Sequence, residues 1–125
     1  MKATEQSIIA LVFLFTIGCV QKTHQKIIHF KLDMTAFQNP VDVGVRGEFG
    51  IKGWEETIYF TDENNDGIFE GTVKFQTAKN ALAFKFVEHG DQFELEGQDN
   101  RSISFEYKPE TILYEAVFNN HQTKK

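Results

Sequence analysis

The chain is poor in residues that staple, span or catalyse. Its 125 residues hold one cysteine, Cys19, so no disulfide can form within it and the fold must rest on its apolar core. The longest apolar run, "IIALVFLFTI" at residues 8–17, falls well short of the roughly 20 helical residues needed to cross a bilayer. Lys and Arg total 13 against 18 Asp and Glu, and the two signs are interspersed at a net charge of −5. No basic stripe results, so nucleic acid is not an expected partner. The four histidines, His24, His29, His89 and His121, lack metal-ligand spacing. Only His89 falls in a loop within the domain, where it reads as a solvated turn residue. No serine sits in a nucleophile elbow. Glu55-Glu56 and Glu94/Glu96 are the carboxylate pairs, and Glu94 with Glu96 reads as a solvated stripe on one strand face. Glycoside hydrolysis needs two carboxyls across a cleft, and no such pair is nominated. The expectation is a non-enzyme with no cofactor and no metal.

What the chain does have begins with a leader. Lys2 precedes the apolar run, which suits a secretory h-region, and Gly18-Cys19 follows at once. Small Gly18 before Cys19 resembles the lipobox of bacterial lipoproteins. That resemblance implies a signal peptide at 1–18, lipidation of Cys19, and anchorage to a bacterial membrane on its periplasmic or surface side. The alternative is an ordinary secretory signal, with Cys19 incidental and the protein secreted. Residues 19–26, ending "VQKTHQK", read as a polar tether, and 119–125, "NNHQTKK", as a polar tail expected to fray.

From Ile28 the apolar pattern has period two. Ile28, Phe30, Leu32 and Met34 alternate with His29, Lys31 and Asp33, as in a half-buried strand. Val41, Val43 and Val45 alternate likewise, and "ETIYFT" is another short strand. "GIFEGTVKF" offers Phe69, Val73 and Phe75 to one face, and "ALAFKFVEH" offers Leu82, Phe84 and Phe86. "DQFELEG", "SISFEYK" and "ILYEAVF" complete the set. Asn39-Pro40, "NNDG", "HGD" and "KPE" supply the turns. The spacing predicts one domain over 27–118, an all-β antiparallel sandwich of immunoglobulin-like shape with about seven to eight strands. Thirteen phenylalanines supply much of its apolar volume.

Two stretches invite functional readings. In "DENNDGIFE", Asp62, Asn64, Asp66 and Gly67 fit the early positions of a calcium loop, but Val73 stands where the bidentate Glu belongs. A hairpin turn uses the same residues and is the preferred reading, with a weak calcium site as the alternative. In "GEFGIKGWEE", the lone tryptophan, Trp54, lies between glycines and charges, where a core residue is out of place. Its indole offers either a cap over the end of the sandwich or a flat platform for a pyranose ring.

The stretch "VGVRGEFGIKGWEETIYFTDENNDGIFEGTVKF" followed by "FKFVEHGDQFELEGQDNRSISF" resembles the starch-binding modules of family 20, and also the glycogen-binding modules of family 48. Those modules run from a strand into a glycine-bounded loop ending in Trp, then an edge hairpin, a Y-K-F strand and a W-E-x-x-x-N-R turn. The resemblance implies that Trp54 is a stacking platform and that Lys85 and Asn100 bond sugar hydroxyls. Leu95 stands where the second stacking tryptophan would be, and Phe93, read as lying on the same face, is the candidate replacement ring. Arg101 is expected to brace the turn that presents Asn100. The implied function is non-catalytic binding of starch or a related α-glucan, with a separate glycan-degrading enzyme as a possible neighbour. The alternative is a protein-interaction or accessory sandwich that has lost sugar binding, for which Leu95 is the main support.

Overall fold

The computed structural model describes residues 21–124. Cys19 and the 1–18 leader lie outside the described residues. Among the described residues nine strands form two sheets: β1 (His24–Asp33), β2 (Gly44–Gly47), β3 (Ile58–Tyr59), β4 (Ile68–Thr77), β5 (Ala81–Glu88), β6 (Gln92–Phe93), β7 (Arg101–Ser104), β8 (Glu110–Val117) and β9 (Thr123–Lys124). One sheet runs β4-β1-β8-β9 and the other β3-β2-β5-β6, with β7 also paired to β5. Every pairing is antiparallel except β1 with β8, which run parallel in register from Lys26↔Glu110 to Asp33↔Val117. The protein is the all-β sandwich that its alternation predicts.

The period-two pattern works because successive side chains on a strand point to opposite faces. Ile28, Phe30 and Leu32 from β1 meet Leu82, Phe84 and Phe86 from β5, all essentially buried. Phe30 is central. Its ring lies 5.5 Å from Phe60 and from Phe84, 5.7 Å from Phe86, and 5.9 Å from Tyr114 by centroids. Truncating such a ring to alanine costs about 3–5 kcal/mol in a packed core. Gly71 on β4 makes room for this cluster, because a Cβ there would lie 2.3 Å from the Phe60 ring.

Several expectations shift at the edges. β1 starts at His24, inside the stretch expected to be a tether, and Lys26 is buried. Its ammonium donates to Glu106 O at 2.8 Å, Lys108 O at 2.6 Å and Glu110 Oε1 at 2.6 Å, and lies 5.0 Å from the Phe105 ring centre. These contacts use all three of its donors, which is how a buried ammonium is tolerated. The bond from Lys26, helped by the Glu106 N–H, holds the Glu110 carboxyl below its ordinary pKa against the opposing pull of burial. Thr123 and Lys124 pair with Ala116 and Glu115, so part of the expected frayed tail is a strand. Val41 is 47% exposed, and the second strand begins only at Gly44. Asn39 and Asp42 take positive φ in the loop before it, which breaks the alternation.

The acidic turn lies where a hairpin reading places it, between β3 and β4. Asp62 accepts from the N–H groups of Asp66 and Gly67 with its two carboxylate oxygens, at 3.1 and 2.9 Å. Asp66 accepts from Ile68 N at 2.9 Å, and that bond foremost lowers its pKa. The carboxylates are thus engaged in closing the turn. Among the described residues no three His, Cys, Asp or Glu side chains group to hold a metal ion.

Candidate binding groove

The outer face of the β3-β2-β5-β6 sheet carries an open groove of about 690 Å³, lined by Trp54, Lys85, Gln92, Phe93, Glu96, Gly97 and Asn100. Three segments build it. The first is the β2–β3 loop, where a single 3-10 turn at Gly53–Glu55 presents Trp54. Gly53 enters that turn at φ +51, a left-handed conformation that favours glycine. The second is the outer face of β5, which supplies Lys85. The third runs from the hairpin strand β6 through the loop to β7, supplying Gln92, Phe93, Glu96, Gly97 and Asn100.

Trp54 is partly buried, and Phe93 is 42% exposed. Their ring centres lie 6.1 Å apart with planes inclined at 53°, so the two rings form one bent apolar surface. Of the five residues that sequence reasoning nominated for a sugar site, four line this groove: Trp54, Lys85, Phe93 and Asn100.

Leu95 does not. Its side chain is 1% exposed, so the expectation that it shares a face with Phe93 is corrected. Strand β6 ends at Phe93, and Leu95 has φ +52, which breaks the extended alternation and turns its side chain inward. Leu95 contributes its backbone instead. The ammonium of Lys85 donates to Leu95 O at 3.0 Å and to Gln98 O at 2.9 Å. Two of its three donors therefore hold the β6–β7 loop.

The expectation of a solvated Glu94/Glu96 stripe is corrected for the same reason. Glu96 is exposed in the groove, whereas Glu94 is 1% exposed and paired with Arg101, itself 2% exposed. Arg101 Nε reaches Glu94 Oε2 at 2.6 Å, and Nη2 reaches Oε1 at 2.8 Å. Nη2 also donates to Val117 O at 3.0 Å and Asn120 O at 2.6 Å. Glu94 accepts in addition from Phe86 N at 2.9 Å and Asn119 N at 3.1 Å. Burial opposes the charge on Arg101, but its bonds to Glu94 and the attraction of that carboxylate prevail and raise its pKa. The pair joins the two ends of the segment that carries Glu96, Gly97 and Asn100. Arg101 therefore braces this turn from inside and is no part of the groove lining.

Sequence reasoning missed Gln92, Glu96 and Arg46. The first two are polar residues on a short hairpin, with nothing in their local pattern to distinguish them from solvated positions. Arg46 left a fainter signal: between Val45 and Gly47 it falls on the opposite face from the core valine, and β2 sets it in register with Lys85. A comparison with protein-family models and with curated proteins found no match to the chain.

Proposed function

We propose that the groove binds a carbohydrate chain, starch or a related α-glucan, without transforming it. The observation that carries this reading is the joint placement of Trp54 and Phe93 as an inclined aromatic surface with Lys85, Asn100, Gln92 and Glu96 around it. Sugar rings pair an apolar C–H face with a rim of hydroxyls, and this groove offers an apolar floor with both donors and acceptors. A second ring also addresses affinity. Covering an indole face removes roughly 100 Å² of apolar surface, or about 2.5 kcal/mol at ~25 cal/mol per Å². Millimolar binding needs about 4 kcal/mol net, which one ring and a few exposed hydrogen bonds barely reach and two rings clear. Among the described residues Glu96 is the groove's one carboxylate, which supports binding over hydrolysis, since hydrolysis asks for two.

Within the same proposal, Cys19 carries a lipid anchor in a bacterial envelope, and the domain holds polymer near the membrane for a separate glycan-degrading enzyme. Two acyl chains would suffice for stable attachment.

Retention on insoluble starch tests the reading. The wild type is expected to pellet with the polymer, and Trp54→Ala to remain in the supernatant. Equal behaviour of the two proteins overturns it. The second reading, a protein-interaction domain, draws on the buried Leu95, which leaves the resemblance's second tryptophan position without a platform. Passage of both proteins into the supernatant, together with saturable capture of a protein partner through the Trp54 face, would favour it.

A further inference from the structure

We infer that Arg46, which lies outside the groove lining, is the positioning residue that sets the Trp54–Phe93 surface; its effect on ligand rests on the carbohydrate reading, and its effect on the rings does not. Arg46 is partly buried, and among the described residues it forms no ion pair with a carboxylate. Its guanidinium is committed to neutral acceptors from the two segments that carry the aromatic rings. Nε donates to Thr57 Oγ1 at 2.6 Å, Nη1 to Trp54 O at 3.3 Å, and Nη2 to Gly90 O at 3.1 Å. Thr57 Oγ1 donates to the same Gly90 oxygen, so the β2–β3 loop and the β5–β6 turn are tied twice at one point. The guanidinium carbon also lies 5.8 Å from the Phe93 ring centre, within range of a cation–π attraction.

The surrounding backbone serves this convergence. Gly44 and Gly47 bracket Arg46. A Cβ on Gly44 would lie 2.3 Å from Ile58 O, and one on Gly47 would lie 2.5 Å from Ala83 O. Both positions let neighbouring strands close on β2, and the first brings Thr57 to the guanidinium. His89 and Gly90 adopt φ +52 and +79, the left-handed turn from which the Gly90 carbonyl meets Arg46. One planar fork thus fixes the carbonyl of the residue bearing the indole, the turn before β6, and the Phe93 ring. Lysine carries a single ammonium and cannot span these acceptors, so charge alone is not the requirement.

Preordering two rings that would otherwise rotate spares the side-chain entropy lost on binding, so its loss weakens binding roughly two- to twelvefold per ring. The test uses the full chain, in which Trp54 is the sole tryptophan and its fluorescence reports this site alone. Arg46→Ala and Arg46→Lys are both expected to red-shift the emission and increase its quenching by acrylamide. Both are also expected to weaken maltoheptaose binding by at least threefold in calorimetric titration, with a cooperative melt retained. Wild-type emission and quenching in Arg46→Ala, or full restoration of both by lysine, overturns the inference. Should Arg46→Ala fail to fold, Thr57→Val removes only the hydroxyl bridge, and it is expected to shift emission in the same direction; an unchanged spectrum counts against the inference. A wild type that ignores maltoheptaose sinks the carbohydrate reading, while the fluorescence comparison still decides the role of Arg46.

Discussion

Replacing Arg101 with methionine keeps a long side chain and deletes the guanidinium, which makes the contribution of the buried pair measurable. Glu94 would then lie in the interior at 1% exposure, with only the N–H groups of Phe86 and Asn119 to stabilise its charge. The carbonyls of Val117 and Asn120 would lose their donor as well. Removing one partner of a buried ion pair costs about 3–5 kcal/mol, a large part of the 5–15 kcal/mol that holds a typical domain. At about 4–8 °C per kcal/mol for a domain near this size, the melting temperature of Arg101→Met should fall by at least about 12 °C. Thermal unfolding followed by circular dichroism reads this directly. Adding Glu94→Leu removes the stranded charge and should recover part of the loss. Recovery stays incomplete, because Phe86 N and Asn119 N then lack their acceptor. A single mutant that melts within about 4 °C of wild type refutes the reasoning, since it would mean that Glu94 finds other compensation.

Phe93→Ala should leave the melting temperature nearly unchanged, as the ring is 42% exposed, yet weaken maltoheptaose binding about tenfold, equivalent to ~1.4 kcal/mol. Unaltered affinity would remove Phe93 as the second platform. The Lys26–Glu110 pair predicts a pH dependence. The folded carboxyl has a lowered pKa, so its contribution is fully present above the unfolded value of about 4.3 and fades as pH falls through the lower folded value. Glu110→Gln should therefore melt below wild type at pH 7, with the gap closing on acidification below about pH 4. A gap independent of pH would show that the carboxylate's charge is not what matters.

The sandwich was legible because its core strands obey a local rule. Ile28-Phe30-Leu32 and Leu82-Phe84-Phe86 alternate without interruption, and burial follows the alternation. The groove was legible in part. Trp54, Lys85, Phe93 and Asn100 come from three segments, and the structure brings all four to one groove. What escaped are buried charges and one broken period. Lys26 looks like tether because its partners, Glu106, Lys108 and Glu110, lie 80 or more residues away. Glu94 looks solvated because a carboxylate is cheap in water, and only Arg101 across a closed loop reverses that preference. Leu95 defeats period two because one positive φ after β6 reverses the direction of its side chain.

The parallel pairing of β1 with β8 has a consequence for biosynthesis. Strand β1, the first among the described residues, lies between β4 and β8, and its neighbour at Glu110 is translated 84 residues after Lys26. Until that strand appears, one edge of β1 is bare and the Lys26 ammonium lacks its carboxylate, so a nascent chain cannot complete this sheet vectorially from its beginning. Folding of this sheet must wait for β8, as expected of a topology built on distant contacts. Fragments released before residue 110 should therefore be protease-sensitive.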